Sequence, residues 1–299
     1  MCGIVGLYLK TKELEPRLGE LFTPMLIEMT NRGPDSAGVA IYRDPVGKNE
    51  IKVTVAHIDP AFDWRAVAAG LTAAHGKTTA HKIGNHCVLI SKAKEGDVRA
   101  WLASHAASVS IVGAGHVIEI FKEVGLPQQV ADMYQLKTAK GSHMIGHTRM
   151  ATESAVTTAG SHPFATGQDL CLVHNGSLSN HNSWREWLRK NAKIEFQTEN
   201  DTEVAAAYLT WKLREGASLK EALESSLTDL DGFYTFLAGT ADGFAVLRDP
   251  IACKPAVMAE TDDWVAFGSE FRALANLPGV EKARVWEPEP AIVYSWGRA

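Results

Sequence analysis

The spacing of apolar residues predicts a strand and then a helix at the start of the chain. Residues 4–9 form a short β-prone run, and apolar residues then recur at helical spacing: Leu14, Leu18, Leu21, Phe22, Met25 and Met29. This pattern indicates an amphipathic helix over about residues 15–30. Two further strands are predicted over residues 36–42 and 51–57, because Pro45, Val46 and Gly47 supply a turn between them.

The pattern is less regular between residues 59 and 141. Helices are predicted over residues 64–74 and 97–107, and strands over residues 86–91 and 109–121. This block is either a subdomain or an elaborated connection between strands of a sheet.

Strands and helices alternate in the second half of the chain, and strands dominate its last third. Strands are predicted over residues 142–148 and 170–174, and helices over residues 180–190 and 200–213. Asn200 and Glu203 form a candidate capping box for the second of these helices, and Ser218 opens another. Asp242 and Gly243 predict a hairpin between two of the later strands, which are placed at 233–239, 244–248, 257–259, 264–268, 283–286 and 291–294.

These elements together predict an α+β fold. Many of the strands are linked by hairpins, and the helices fall in two clusters. Each sheet and each helix has to bury an apolar face. The arrangement that does so is a pair of stacked, mainly antiparallel sheets with helices on both outer faces.

Composition and charge narrow the class of protein. The chain has 299 residues, of which 45% are hydrophobic and 22% are charged, as in an ordinary globular protein. Its formal net charge of -5 gives no electrostatic footprint for nucleic acid. A membrane span is not expected, since the sequence has no run of about 18 apolar residues.

The cysteines and histidines show no metal-ligand spacing. The four cysteines form no CxxC pair, and the eleven histidines form no HExxH or HxH motif, so no metal is expected in this chain. The start of the chain has no basic segment followed by an apolar one, which predicts a cytoplasmic protein with reduced thiols. Three of the cysteines lie in apolar stretches and are predicted to be buried: Cys87, Cys171 and Cys253.

Cys2 is the first candidate for chemistry because of its position. Methionine is normally removed before a small residue, which would leave Cys2 with a thiol and a free α-amine. In model peptides an α-amine titrates near ~8 and a thiol near ~8.5, so the two groups can act as base and nucleophile near neutral pH. Because a small second residue is common, Cys2 needs support from other segments.

Four further segments supply that support. They span residues 31–38 (NRGPDSAG), 147–154 (HTRMATES), 174–177 (HNGS) and 200–203 (NDTE). With the opening residues Met-Cys-Gly-Ile-Val-Gly, and in this order, they resemble the class II, or N-terminal-nucleophile, glutamine amidotransferases. The resemblance implies a four-layer αββα N-terminal-nucleophile hydrolase sandwich. It also implies one glutamine amidotransferase type-2 domain over residues 2–299, with an insertion at about 59–141.

The resemblance assigns catalytic roles to Cys2, Asn175 and Gly176. Cys2 would attack the side-chain amide of glutamine and form a thioester. The Asn175 amide and the Gly176 N–H suit an oxyanion hole, in which losing one donor typically costs ~3–4 kcal/mol of barrier. Asn-Gly is also the favoured pair of a type I′ turn, so a structural interpretation stays open.

The residues assigned to glutamine binding are Arg149, Asp201, Thr152, Arg32 and Gly33. The Arg149 guanidinium can hold the α-carboxylate bidentately, although a surface arginine is the alternative. Asp201 offers an anion for the α-ammonium, or it caps the helix that follows. Thr152 would help to hold the carboxylate. Arg32 and Gly33 would form a tight loop that organises the surroundings of the nucleophile.

The sequence contains no recognisable synthase half, because no Ser-Gly-Gly adenylation loop and no phosphoribosyl-binding segment is present. The ammonia acceptor is therefore expected on another chain. The opening residues, and the long gap between the Arg32 and Arg149 segments, resemble the stand-alone amidotransferase subunit of glutamate-synthase-like N-methylglutamate synthases. This implies no cofactor here and FMN on a partner subunit. The insertion would dock the companion chains or be inert decoration, and docking is favoured.

Two other functions stay open. One is an independent N-terminal-nucleophile hydrolase of a larger amide, against which Arg149 and Asp201 argue because they fit a small zwitterion. The other is a catalytically silent scaffold subunit. The identity of the ammonia acceptor, the oligomeric state and the dependence of glutaminase activity on a partner are not encoded in any motif.

Overall fold

Sixteen strands and seven α-helices are formed by the residues that the computed structural model describes, 2–151 and 156–297. The strands are β1 (Gly3–Leu9), β2 (Ser36–Tyr42), β3 (Ile51–Ala56), β4 (Thr78–Ile83), β5 (His86–Ser91), β6 (Ser110–Gly115), β7 (Ile118–Val124), β8 (His143–Arg149), β9 (Phe164–Gly167), β10 (Leu170–Leu178), β11 (Gly232–Thr240), β12 (Gly243–Arg248), β13 (Val257–Glu260), β14 (Trp264–Gly268), β15 (Arg284–Trp286) and β16 (Val293–Gly297). The helices are α1 (Leu18–Glu28), α2 (Trp64–His75), α3 (Glu95–His105), α4 (Pro127–Met133), α5 (His181–Trp187), α6 (Asp201–Arg214) and α7 (Leu219–Asp229). Across these two ranges, no helix combines the length and the apolar character that crossing a bilayer requires.

Two antiparallel sheets stack face to face. The large sheet has the strand order β15-β13-β14-β1-β8-β2-β7, and the small sheet has the order β16-β12-β11-β10-β9. Strand β1 lies inside the large sheet, between β14 and β8. Ile4 and Tyr8 pack in the core between the sheets, whereas Val5, Leu7 and Leu9 pack in the core under the helices. Both faces of β1 are therefore buried.

Helices cover the outer face of each sheet. On the large sheet, α1 packs through Leu18, Phe22 and Met25, and α4 packs through Val130 and Ala131. On the small sheet, α6 is buried along most of its length and has α5 and α7 beside it. The layers follow the order helices, sheet, sheet, helices, which confirms the predicted αββα sandwich.

A third sheet, with the strand order β4-β5-β3-β6, adjoins the sandwich. Helices α2 and α3 pack on it around a separate core that includes Val53, Trp64, Leu71, Leu89 and Leu102. Its strands and helices span residues 51–115, whereas the sequence pattern placed the insertion at about 59–141. The chain then returns to the sandwich, because β7 pairs with β2 and α4 packs on the large sheet.

The prediction of a single strand over residues 109–121 is wrong. The chain forms β6 and β7 there, in different sheets, with a turn between them. The Asp169 carboxylate accepts hydrogen bonds from the N–H groups of His116, Val117 and Ile118, at 2.8, 2.9 and 3.0 Å. This turn is fixed by a distant residue, so the local apolar pattern could not show it.

Two short elements also escape the pattern. Strand β4 is an edge strand with exposed His81 and Lys82, so it has no clean apolar alternation. Helix α4 has only seven residues and starts at Pro127. Neither element carries enough apolar periodicity to be recognised without its neighbours.

Candidate active site

The hydrogen bonds of β1 fix the position of Cys2, which directly precedes this strand. Gly3 is paired with Thr148 of β8. The Ile4 N–H donates to Ser269 Oγ, and the Ser269 N–H donates to Ile4 O, both at 2.9 Å. Cys2 itself is half-buried. It is therefore held by a rigid central strand and stays partly accessible.

Arg32 connects the backbone of Cys2 to a carboxylate. Its Nε donates to Cys2 O at 3.0 Å, and its Nη1 donates to Glu270 Oε1 at 2.7 Å. Arg272 contacts the other carboxylate oxygen of Glu270 at 2.7 Å. The hydrogen bond from Arg32, supported by the charge of Arg272, lowers the pKa of Glu270. Glu270 is therefore ionised at neutral pH and orients Arg32.

Gly33 lets the loop after α1 lie directly on the end of β8. A Cβ at this position would lie 2.3 Å from the carbonyl carbon of Thr148 and 2.5 Å from Arg149 N. Asp35 Oδ2 accepts a hydrogen bond from Ala151 N at 2.8 Å, and Asp35 N donates to Arg149 O at 3.1 Å. The loop therefore packs against, and hydrogen-bonds to, the backbone at Arg149.

Asn175 lies inside β10 and points its amide at Cys2. Its Nδ2 donates to Cys2 O at 3.2 Å. The type I′ turn proposed for Asn175 and Gly176 is wrong, because β10 continues to Leu178 and both residues pair with β11. Asn175 of the small sheet thus donates a hydrogen bond to Cys2, which precedes a strand of the large sheet.

Gly176 adopts a backbone conformation that other residues avoid. Its φ is 150°, and a Cβ there would lie 2.0 Å from Phe233 O and 2.7 Å from Tyr234 Cα. Any side chain would therefore collide with the backbone of β11. Glycine at this position is required by the fold as well as by the proposed oxyanion hole.

Asp201 is the first residue of α6, and β10 holds its side chain. Oδ2 accepts a hydrogen bond from Leu178 N at 3.0 Å, and Oδ1 lies 3.7 Å from His174 Nδ1. Burial tends to raise the pKa of Asp201, but the nearby His174 ring, with the Leu178 N–H, lowers it to about 2. The neighbouring Asn200 caps the helix instead, since its Oδ1 accepts from Thr202 N at 2.8 Å. The capping interpretation of Asp201 is therefore wrong.

These side chains meet at one cavity, which we call the Cys2 cavity. It has a volume of about 810 Å³, and its lining includes Cys2, Arg149, Asn175, Gly176 and Asp201. Arg149, the last residue of β8, is buried, so the surface interpretation of this arginine is wrong. Two opposite charges and one amide donor thus surround a single thiol.

The other three residues assigned from the sequence have different positions. Arg32 and Gly33 support the cavity through the backbone of Cys2 and of β8, and they are not part of its lining. Thr152 lies outside the described residues.

Three buried histidines pack against the Cys2 cavity, and two of them, His162 and His174, line it. The His147 and His162 rings stack at a centroid distance of 3.9 Å. Thr202 Oγ1 lies 2.8 Å from His162 Nε2 and 3.0 Å from His174 Nδ1. Burial lowers the pKa of His147 to about 3 and that of His162 well below its usual value. The His147 and His162 rings are therefore neutral at physiological pH.

Lys122 of β7 is a buried amine close to the same cavity. Its Nζ donates to the carbonyl oxygens of Ala159, Ser161 and Pro163, at 3.1, 2.8 and 3.3 Å. Burial lowers the pKa of Lys122 to about 7, while the charge of Glu203 acts in the opposite direction. Lys122 thus stabilises the segment 159–163, part of which lines the Cys2 cavity.

A second cavity, of about 380 Å³, lies between the third sheet and the sandwich. Lys122 and Glu203 line it. The Glu203 carboxylate accepts hydrogen bonds from the N–H groups of Gln197 and Thr198, both at 2.8 Å, so it does not form the predicted capping box with Asn200. The two cavities share a wall made of Thr157, Ala159, Gln197 and Thr198.

The other cysteines have different environments from Cys2. Burial raises the pKa of Cys87 and of Cys171 to about 12. Cys253 is exposed in the loop after β12, so its predicted burial is wrong. Within the described residues, no group of three or more His, Cys, Asp or Glu side chains could hold a metal ion.

Lys122, Thr202 and Glu270 belong to the site, but no sequence pattern assigned them a role. Lys122 had a usable signal, because it shares a strand face with Ile118 and Ile120 and so occupies a core-facing position. Thr202 lies in the NDTE segment but had no distinguishing feature. Glu270 had none, because it reaches the site only through the pairing of β14 with β1.

Comparison with known proteins agrees with this geometry. A family described as glutamine amidotransferase domain matches residues 147–276. The chain is 57% identical over 297 residues to the glutamine amidotransferase-like protein GlxB of Rhizobium meliloti, covering 99% of this chain and 98% of that protein. It is 33% identical over 306 residues to a putative glutamine amidotransferase of Methanothermobacter thermautotrophicus, covering 98% and 99%.

A solved structure shows the same fold. The glutamine phosphoribosylpyrophosphate amidotransferase of B. subtilis superposes with a TM-score of 0.61 at 21% identity, covering 99% of this chain and 49% of that one. Together, the near full-length relatives, the fold and the grouping of Cys2 with Arg149 and Asp201 lead to one assignment. The chain belongs to the class II glutamine amidotransferases and has their N-terminal-nucleophile fold.

Proposed function

We propose that the chain hydrolyses glutamine to glutamate through a thioester on Cys2 and supplies the ammonia to a synthase on a partner chain. The observation that carries this proposal is the lining of the Cys2 cavity, where a thiol, an amide donor, a guanidinium and a carboxylate meet. Glutamine has groups that complement all four: its side-chain amide suits both the thiol and the amide donor, its α-carboxylate suits the guanidinium, and its α-ammonium suits the carboxylate. A family membership shared with glutamine amidotransferases supports the same substrate.

Arg149 and Asp201 suit the two charges of free glutamine. The Arg149 guanidinium is a planar set of donors that can hold the α-carboxylate. Asp201, with a pKa of about 2, is ionised throughout the neutral range and can accept the α-ammonium. Removing either substrate charge would leave a poorly solvated charge in the protein, which costs binding energy. We therefore expect selectivity for the zwitterion over amides that lack either charge.

In the proposed reaction the α-amine of Cys2 accepts the thiol proton, and the thiolate attacks the amide carbon of glutamine. The resulting oxyanion accepts hydrogen bonds from Asn175 Nδ2 and the Gly176 N–H. Asn175 has two amide hydrogens, so it can serve the oxyanion while it donates to Cys2 O. The C–N bond then breaks, and the α-amine returns the proton as ammonia leaves.

Water completes the cycle by attacking the thioester carbon. The C–S bond breaks, glutamate is released and the thiol is restored. Arg149 and Asp201 hold the substrate's glutamyl group at Cys2 in both steps. This contributes to the rate through orientation alone.

Substitution of Cys2 tests the reaction, and Cys253 provides the matched control. We expect Cys2→Ala to abolish glutamate release from glutamine and Cys253→Ala to leave it unchanged, because Cys253 is exposed and outside the cavity. Intact mass should show that the active wild-type chain lacks Met1. Glutaminase activity in a chain that retains Met1, or in Cys2→Ala, would contradict the mechanism.

We further propose that the partner is a glutamate-synthase-like assembly of the N-methylglutamate synthase type, with FMN on a companion subunit. The near end-to-end match with a glutamine amidotransferase-like protein supports an amidotransferase unit that works as a separate chain. The tagged chain should co-purify with a flavin-containing protein from its native cells. Nitrogen from amide-labelled glutamine should then appear in the product of that assembly. A co-purified synthase without flavin would exclude this type of partner.

Two assays separate the proposal from its rivals. An independent amide hydrolase would cleave larger amides that lack the α-carboxylate and the α-ammonium as well as it cleaves glutamine. A silent scaffold would leave Cys2 unlabelled by a glutamine-like electrophile such as a diazoketone analogue. We expect rapid labelling of Cys2 and a strong preference for glutamine.

We propose that the third sheet is the docking surface for the partner. Ile58, in the loop after β3, has 93% of its surface exposed and lies at the second cavity. Ile58→Glu should abolish co-purification of the partner and leave glutaminase activity intact. Ile251→Glu is the matched control, because Ile251 is also exposed but lies after β12. Loss of the partner in the control alone would place the interface elsewhere.

A further inference from the structure

His174 contacts its surroundings through one ring nitrogen. It is buried in β10, one residue before Asn175. Its Nδ1 lies 3.0 Å from Thr202 Oγ1 and 3.7 Å from Asp201 Oδ1. Among the described residues, its Nε2 has no hydrogen-bond partner. The polar interactions of the ring are thus directed at the start of α6.

Thr202 links His174 to the Asp201 carboxylate. Asp201 Oδ2 accepts the Leu178 N–H, so Oδ1 is the oxygen that faces His174. An ionised carboxylate only accepts hydrogen bonds, so the Thr202 hydroxyl donates to Asp201 Oδ1, at 3.4 Å. The Thr202 oxygen then accepts a hydrogen bond from His174 Nδ1–H, at 3.0 Å. Nε2 lies close to Gly176, where an added Cβ would lie 2.8 Å from it. His174 is therefore a donor to Thr202, which in turn donates to Asp201.

Buried neighbours hold His174 in this orientation. Thr202 Oγ1 is itself fixed by His162 Nε2, and the His162 ring stacks on His147. His147 Nε2 donates to the backbone oxygen of His174 at 3.1 Å. Both the ring and the backbone of His174 are thus restrained, so the ring acts as a fixed support for the carboxylate.

We propose that His174 is a positioning residue for glutamine: its Nδ1–H orients the Thr202 hydroxyl, which holds the Asp201 carboxylate in the orientation that accepts the α-ammonium of the substrate. This inference rests on the proposed function, because it takes Asp201 as the ammonium site. The effect concerns recognition of the α-ammonium. The reacting amide and the α-carboxylate are recognised by other residues.

Two substrates and two variants test the inference. Glutaramate has the amide and the carboxylate of glutamine but lacks the α-ammonium. The ratio of kcat/KM for glutamine to kcat/KM for glutaramate therefore measures ammonium recognition. This ratio does not depend on the fraction of enzyme that is folded. In His174→Asn the amide nitrogen can replace Nδ1, whereas in His174→Gln the longer side chain places its amide near the Nε2 position.

We expect His174→Asn to keep the wild-type ratio within about threefold and His174→Gln to lose about tenfold or more, the scale of one hydrogen bond to a charged group. KM for glutamine should rise in His174→Gln with little change in kcat. Equal ratios in wild type and both variants would overturn the inference and leave the proposed function intact. No glutamate release by the wild-type chain with its partner would overturn the proposed function, and the inference with it.

Discussion

Replacing Lys122 by methionine should change how the stability of the protein depends on pH. Burial lowers the pKa of Lys122 from 10.5 to about 7. Between these two values the unfolded chain binds a proton at this group and the folded chain does not. The free energy of unfolding of the wild type must therefore rise with pH across this window. Lys122→Met lacks the group and should lack the rise.

The size of the effect follows from the same two values. One proton gives a slope of about 1.4 kcal/mol per pH unit, so the window from about pH 7 to 10.5 corresponds to about 5 kcal/mol. Below pH 7 the substitution relieves this penalty, but it leaves the carbonyl oxygens of Ala159, Ser161 and Pro163 without their donor. Each unsatisfied buried group costs about 1–3 kcal/mol. The two free-energy terms nearly cancel at neutral pH. The variant therefore becomes less stable than the wild type only as the pH rises.

Urea unfolding measured at several pH values between about 7 and 9.5 tests this, because other titrating groups cancel in the difference between the two proteins. The difference in unfolding free energy should grow steadily with pH in favour of the wild type. Lys220→Met on α7 is the control, since the Lys220 side chain is 63% exposed, and it should follow the wild type. A difference between Lys122→Met and wild type that stays constant with pH would refute the reasoning.

Two further predictions concern the backbone around Cys2. Gly176→Ala should destabilise the fold by more than the about 1–3 kcal/mol of a strained backbone, because the new Cβ would lie 2.0 Å from Phe233 O. Thermal unfolding measures this, and Gly96→Ala in α3, with nothing within 4 Å of its Cβ, should be neutral or stabilising. Glu270→Gln should lower kcat for glutamine about tenfold, because Arg32 loses the charge that orients it on Cys2 O. Arg272 contacts Glu270, so Arg272→Ala is the comparison, and it should lower kcat less than Glu270→Gln does. A larger loss of kcat in Arg272→Ala than in Glu270→Gln would contradict the role of Glu270 in orienting Arg32.

The local sequence pattern correctly predicted those strands whose bounds do not depend on contacts with distant residues. Residues 36–42, 86–91 and 264–268 form strands with the predicted bounds, because each is an apolar run that ends at a polar or turn residue. The hairpin at Asp242 and Gly243 also forms as predicted, between β11 and β12. The prediction fails at residues 109–121, where the turn depends on Asp169.

The site was predictable only in part, for the same physical reason. The motif segments identify Cys2, Arg149 and Asp201, and the structure brings all three to one cavity. The supporting residues were not predictable, because their role comes from packing between distant segments. Glu270 meets Arg32 across 238 positions of sequence, and Lys122 is buried because its strand faces the inside of the sandwich. The spacing of residues along the chain predicts neither the Arg32–Glu270 contact nor the burial of Lys122.

The carbonyl of Cys2 is held by one donor from the large sheet's side, Arg32, and by one from the small sheet, Asn175. The second of these contacts spans 173 positions of sequence, and Asp201 arrives from a helix on the far face of the small sheet. Contacts of such long range form only once the large loops of chain between them have closed. Catalytic competence therefore emerges only after both layers have docked, so a half-folded chain cannot release ammonia. Recovery of glutaminase turnover after dilution from denaturant is accordingly a stricter measure of complete refolding than recovery of secondary structure.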